Sequence, residues 1–342
     1  MTSASRVRHC FVVPPLGGPI SGGTLYNREL CAALLERSCL LEACALGASR
    51  LPTLLREARY VWVDSLYLEA LPELKRVASG SVALLTHYLP SFVSRGRAAL
   101  VVDLDLTERQ ALEAADSFLV TSHFMRDALS AMLPEKKPIG VVQPGTRARL
   151  SPAPPLSPAG LRAVMIANLT SGKGVAPFLR ALAPCAHELA SFELSIIGSI
   201  DADSEYAAAC RRVIVDSPLL GQRVRLLGEL GHERTLAALA ESNLFVSSSA
   251  MESYGMALSE ARAMGVPILA RHGGNAVQHV RREAGGELVN DVAALAAAFT
   301  RIASSGAKLQ ERIDLARQHV PAARPWSEAA REFIDHAERV EK

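Results

Sequence analysis

Short apolar runs alternate with longer stretches of helical periodicity along most of the 342-residue chain. In the first half, Phe11–Val13, Val61–Val63, Val82–Leu85, Leu100–Val102, Ser117–Val120 and Gly140–Val142 read as strands. Between the first two, Leu25, Leu30, Ala33 and Leu34 share one face of a helix predicted over Leu25–Glu36. SPAPPLSPAG, Ser151 to Gly160, is Pro-rich and aperiodic and reads as a linker. After it the pattern restarts with Val164–Ala167, Leu194–Ile197, Val224–Leu227, Leu244–Ser247 and Pro267–Ala270. Strand, helix, strand in repetition predicts α/β architecture with parallel sheets covered on both faces. Two such runs predict two doubly wound, Rossmann-like domains, 1–150 and 151–318, facing one another.

Composition narrows the classes. At 49% hydrophobic and 21% charged residues, the chain has ample material for cores and is not disordered. A net charge of +2 and 5% aromatic content argue against nucleic acid as a partner. No apolar run approaches a membrane span, and MTSASRVRHC has no signal-peptide core, so a cytoplasmic protein is expected. Arg95-Gly-Arg97 and Lys136-Lys137 offer at most a small peripheral contact with a membrane. Six cysteines without Cys-x-x-Cys or metal spacing read as free thiols.

In open α/β sheets, ligands sit beyond the carboxyl ends of strands, so chemistry is sought in the loops that follow them. Gly22 and Gly23 come just before a helix start expected near Thr24, where backbone N–H groups can approach an anion. No Gly-x-Gly-x-x-Gly is present, which speaks against a dinucleotide-dependent dehydrogenase. Lys173 follows Val164–Ala167 in a small polar loop, where a flexible ammonium suits a diphosphate or is simply solvated.

AMESYGMALSEARAMGVPILARHGG, from Ala250, carries Glu252 and Glu260 eight positions apart in an otherwise apolar stretch. Eight helical residues rise ~12 Å, too far for a shared-proton pair or a retaining glycosidase's carboxylates. The spacing suits an extended ligand gripped at two points, each carboxylate accepting hydroxyls and a diphosphate lying at the helix start between them. The plainer alternative is two unrelated helix charges.

Taken in order, these motifs resemble one family: Gly22-Gly23, Ser122 in TSHF, Pro144-Gly-Thr146, Lys173-Gly174, Gly198 in IIGS, LLGEL at Leu226–Leu230, Glu252-x7-Glu260 and His272-Gly-Gly. Together they look like the retaining glycosyltransferases of family 4 (glycosyl transferases group 1), which have the GT-B fold of two Rossmann-like domains across a cleft. The resemblance runs from about Phe11 to the final helix and is most specific in the second half. It implies a nucleotide-diphosphate sugar, from a UDP- or GDP-sugar pool, held mainly by the second domain.

By that resemblance Glu252 holds sugar hydroxyls, Glu260 the ribose diol, and Lys173 the diphosphate together with N–H groups of Gly255, Met256, Ala257 and Leu258. Gly198, Glu229 and Leu230 frame the nucleoside, and Gly22 and Gly23 close on the phosphates. His87, in LLTHYLP, matches a histidine near the transferred sugar; His123 in TSHF is the weaker candidate. The family's leaving phosphate helps deprotonate the acceptor, so no enzyme base and no metal or other cofactor is implied. Asp201-Ala-Asp203 and Asp103-Leu-Asp105 are the two acidic pairs that speak for a metal if any do. One departure stands out: the family often has Arg where this chain has Asn168, and Arg147, Arg271 and Arg95 are candidates to replace it. Residue Ser253 stands where Gly is frequent.

The segment 319–342, with Trp326, Phe333 and Ile334 as apolar anchors, reads as an amphipathic helix, which in the family returns to the first domain. A nucleotide-sugar epimerase or hydrolase of the same fold and a non-catalytic sugar-nucleotide binder remain as alternatives. The acceptor and the oligomeric state leave no mark in the sequence.

Overall fold

The computed structural model describes residues 8–94, 104–133, 135–149, 160–188 and 192–340. The chain forms two compact units: Met1–Gly145 with Arg324–Lys342, and Thr146–Ala323.

The first unit contains β1 (His9–Val12), β2 (Leu41–Cys44), β3 (Tyr60–Asp64), β4 (Ser81–Thr86), β5 (Ser117–Val120) and β6 (Ile139–Val141) in the order β2-β1-β3-β4-β5-β6. The second contains β7 (Leu161–Ile166), β8 (Phe192–Ile197), β9 (Val224–Gly228), β10 (Leu244–Ser247), β11 (Ile268–Arg271) and β12 (Glu287–Val289) in the order β12-β11-β10-β7-β8-β9. Every pairing is parallel. The α/β, doubly wound class is therefore the one the hydrophobic pattern predicts.

Central strands such as β1, β3 and β5 are buried along their whole length, which is why they stand out as continuous apolar runs. The two strands that the pattern misses, β2 and β12, lie at sheet edges and are only partly buried. Each carries a glutamate, Glu42 or Glu287, in place of an apolar residue. The strand expected at Leu100–Val102 and nearly all of the Pro-rich segment lie outside the described residues.

The first unit is closed by the chain's last helix, Trp326–Val340, which packs on the helix Gly22–Glu36 and on β6. Phe333 is fully buried against Trp62, at 4.6 Å between ring centroids, and against Phe11 at 5.5 Å. Trp326 meets the edge of Tyr26, whereas Ile334 is only half-buried. The divisions between the units fall at 145 and 323.

Lys137, half of a basic pair read as a surface feature, is tied down. Its Nζ donates to the carbonyls of Leu112, Glu113 and Ala115, at the end of the helix Leu106–Ala114. A cation there complements the helix dipole. Arg95 and Arg97 lie outside the described residues. Among the described residues no helix is long and apolar enough to cross a membrane.

Candidate functional site

In the second unit the candidate residues gather at the carboxyl ends of β10, β7, β8 and β9, which are neighbours in the sheet. After β7 the chain passes Asn168 and the short turn Ser171–Lys173 before the helix Val175–Leu182. After β10 it loops to Gly255 and the helix Met256–Ala263. Because β7 and β10 pair, the two loops lie side by side. The Ala250 N–H donates to the Gly172 carbonyl at 3.0 Å, and the Ser248 hydroxyl to the Lys173 carbonyl at 2.7 Å. Lys173 Nζ then reaches Glu252 Oε1 at 2.8 Å, with the glutamate side chain 16% exposed. The structure thus brings together the Lys-Gly loop and the first acid of the E-x7-E segment.

The Glu252 loop is fixed by groups with no motif of their own. The Asn275 N–H donates to the Glu252 carbonyl at 2.7 Å. The Asn275 amide and the His279 imidazole both donate to the Tyr254 carbonyl, at 2.8 and 2.7 Å. Burial pushes the His279 pKa down to about 4. The ring is therefore neutral near pH 7, and its one N–H, on Nε2, makes this bond.

Gly255 sits at φ +89, in the left-handed region, and a Cβ there would meet Leu258 Cδ1 at 2.9 Å. The first intrahelical bond runs from Ser259 N–H to the Gly255 carbonyl, so the N–H groups of Met256, Ala257 and Leu258 precede the helical ladder. Glu260 is 6% exposed, with Oε1 2.7 Å from His232 Nε2. Glu252 lies outside the helix, which starts at Met256, so the ~12 Å helical rise does not apply across the whole interval.

Gly198 follows β8, and its N–H donates to the Gly228 carbonyl at 2.9 Å. Leu230 packs against the apolar cluster that includes Leu239, Phe245 and Leu258, while Glu229 is exposed. Asn168 is a loop fastener: its Oδ1 accepts from Ser199 N–H at 2.9 Å. Of the three arginines considered as its replacement, Arg271 ends β11 with Nη1 3.4 Å from the Ser248 carbonyl. Arg147 is exposed and Arg95 lies outside the described residues.

In the first unit, Gly22 and Gly23 are not in a loop before the helix but form its first turn. Ser21 is the N-cap, and a reciprocal pair of bonds with Thr24 starts the helix earlier than the apolar periodicity does. A Cβ on Gly23 would come within 3.2 Å of His87 Cδ2. His87 follows β4, with Nε2 2.8 Å from Asn27 Oδ1 and 3.4 Å from Asp64 Oδ2. Burial lowers its pKa, against the opposing charge of Asp64.

Ser122 caps the helix His123–Met132 through Met125 N–H, and His123 is exposed on its first turn. Asp105 and Asp203, one from each acidic pair, are also helix N-caps; Asp103 lies outside the described residues. Among the described residues no group of three His, Cys, Asp or Glu is arranged to hold a metal ion. His232, Asn275, His279, Asn27 and Asp64 were not legible as site neighbours, because they arrive from four different strand ends, those of β9, β11, β1 and β3.

Residues 160–305, the greater part of the second unit, match the family model "Glycosyl transferases group 1". No protein of curated function matches the chain in sequence. Sucrose-phosphate synthase of Thermosynechococcus elongatus superposes with a TM-score of 0.77 at 20% identity, over 98% of this chain and 99% of that one. Anabaena HepE, in complex with UDP and glucose, gives 0.74 at 15% identity, over 97% and 100%. The pneumococcal O-GlcNAc transferase GtfA, in complex with UDP and GlcNAc, gives 0.64 at 14% identity, over 85% and 59%. At such identities the likeness concerns the fold. The chain therefore has the GT-B fold, and its residues 160–305 match the glycosyl transferases group 1 model.

Proposed function

We propose that the chain is a retaining hexosyltransferase of family 4, moving a hexose from a UDP- or GDP-sugar to a hydroxyl-bearing acceptor. The observation that carries this reading is the 2.8 Å pairing of Lys173 with Glu252 beside the N–H groups of Met256, Ala257 and Leu258. A cation, a carboxylate and a helix N-terminus at the carboxyl ends of two adjacent strands offer three different partners to one donor: phosphate oxygens for the first and third, sugar hydroxyls for the second. Arg271 supplies the second positive charge in place of Asn168, and Glu260 accepts from the ribose diol. Gly198, Glu229 and Leu230 frame the base, and Gly22 and Gly23 offer first-turn N–H groups to phosphate. HepE bound to UDP-glucose and GtfA bound to UDP and GlcNAc favour uridine among the two bases.

In the reaction, the bond from the sugar C1 to the diphosphate oxygen breaks and a bond from the acceptor oxygen to C1 forms on the same face. The acceptor proton passes to the departing phosphate oxygen. Protein groups contribute by stabilising the diphosphate charge and by positioning, with no enzyme nucleophile. Lys173 and the N–H groups carry that charge without a divalent cation, so activity is expected to persist in EDTA. A cytoplasmic location fits a protein that draws on soluble sugar nucleotides.

The test is nucleotide release from UDP-glucose, UDP-GlcNAc and GDP-mannose, with and without a panel of hydroxyl acceptors, followed by NMR of the product anomer. Acceptor-dependent release with the donor's anomeric configuration kept is expected. An inverted product removes the retaining assignment, and isomerised or hydrolysed donor without acceptor replaces transfer by epimerase or hydrolase chemistry.

A further inference from the structure

The surroundings of His87 are built in more detail than a buried histidine needs for packing. Asp64 closes β3, His87 follows β4, and Asn27 lies on the helix after β1. Those strands are neighbours, so three distant side chains meet at the carboxyl edge of one sheet. Asp64 is fully buried and Asn27 is 1% exposed. Asp64 Oδ1 accepts from Leu66 N–H at 2.8 Å, and Oδ2 accepts from Asn27 Nδ2 at 2.5 Å.

Hydrogen-bond capacities then fix the proton on the ring. A carboxylate only accepts, so the Asn27 amide turns its NH2 to Asp64 and its oxygen to His87. An amide oxygen only accepts as well, so the 2.8 Å contact requires a proton on His87 Nε2. In the neutral ring Nδ1 is then a bare lone pair. Nδ1 has no hydrogen-bond partner among the described residues and is not among the fully buried unpaired atoms, so it keeps some accessibility in a side chain that is 11% exposed.

The ring is held from other sides too. Tyr26 meets it edge-on at 5.1 Å between centroids, Gly23 leaves it room, and the Ser65 hydroxyl accepts from the His87 backbone N–H at 3.1 Å.

We propose that Asn27 and Asp64 are positioning residues that lock His87 as its Nε2–H tautomer, leaving Nδ1 as an acceptor for a substrate hydroxyl. That the hydroxyl belongs to a sugar rests on the transferase reading above; the tautomer does not. An acceptor at this point selects a group that can donate, and would discriminate against a carboxylate or an ether oxygen.

The full-length chain labelled with 15N-histidine separates the two layers. Long-range 15N–1H spectra near pH 7.5, with His87 assigned by its loss in His87→Gln, are expected to show a protonated Nε2 and an unprotonated Nδ1. A wild-type ring with its proton on Nδ1, or on both nitrogens, overturns the proposal. Asp64→Asn frees the Asn27 amide to flip, so the single pattern should give way to a mixture, and kcat should fall by roughly tenfold with little change in donor KM. A folded Asp64→Asn chain that keeps the wild-type pattern and kcat also overturns it.

Should that variant not fold, Asn27→Asp decides, since an anion in place of the amide oxygen is expected to draw a second proton onto His87 near neutral pH. An unchanged neutral ring in that variant counts against the relay. The expected tautomer in a chain that releases no nucleotide would instead leave the relay standing and remove the transferase reading.

Discussion

Lys173 and Glu252 are 79 residues apart in sequence and joined by a 2.8 Å ion pair in the second unit. Their meeting follows from sheet order, because β7 and β10 are adjacent and each residue sits in the loop after its strand. The backbone bonds that stitch these loops hold both chains in place independently of the ion pair. Side-chain substitutions here should therefore report on chemistry more than on folding.

Replacing Glu252 by Gln keeps the size of the side chain and removes its charge. Transfer is expected to fall about 10²-fold or more in kcat, in the range seen when one transition-state contact is removed. The loop is held through the Glu252 carbonyl, which Asn275 grips, so the thermal midpoint should stay near that of the parent. A variant with full turnover would dismiss Glu252 from the site.

Arg271→Ala tests the replacement of the charge missing at Asn168. A hydrogen bond to a charged partner contributes about 1.5–3 kcal/mol, so donor KM should rise roughly ten- to a hundredfold. An unchanged KM, measured beside a normal melting curve, would return the search to Arg147.

The first unit should lose stability in mild acid. His9 and His336 are 5% and 4% exposed, and burial pushes both pKa values down to about 4. His9 Nδ1 accepts from Trp62 Nε1 at 3.2 Å, and His336 Nε2 is buried without a partner. An unfolded histidine titrates near 6.5, so below that pH the unfolded chain binds more protons than the folded one. Stability is therefore complete above about pH 6.5 and falls toward pH 4, by at most about 1.4 kcal/mol per pH unit for each histidine. Urea melts of the first unit at stepped pH measure the slope; a flat profile from pH 6.5 to 4.5 contradicts the burial of these rings.

Phe333→Ala removes the aromatic plug between Trp62 and Phe11. Losses for such a truncation run about 3–5 kcal/mol, so the first unit should unfold at markedly lower urea than it does in the parent. Tryptophan emission is the readout, since both tryptophans, Trp62 and Trp326, lie in the first unit. A loss under about 1 kcal/mol would mean that the cavity collapses or that the helix is docked by other contacts.

What could be read from the sequence divides along a physical line. Fully buried strands such as β3 and β5 announce themselves because both faces must be apolar, whereas β2 and β12 mix polar and apolar residues at sheet edges. Glu252 and Glu260 were legible because their spacing is local, and Lys173 because it stands in a small polar loop after a strand. Their partners were not: His232 reaches Glu260 from the first turn of the helix after β9, and Asn275 and His279 brace Tyr254 from beyond β11. The Asp64–Asn27–His87 chain has the same character, since no spacing in the sequence marks a contact set by strand order. The helix start at Ser21 was missed because capping is a polar event that apolar periodicity cannot register.

The closing helix has a consequence for how the molecule is made. β1 to β6 leave the ribosome long before Phe333 does, so the aromatic face of Trp62 and Phe11 must wait for roughly half of the chain to be synthesised. The part translated first is thus finished last, while the inserted second unit can complete itself in between. A nascent chain stalled short of Arg324 would present that bare face to chaperones.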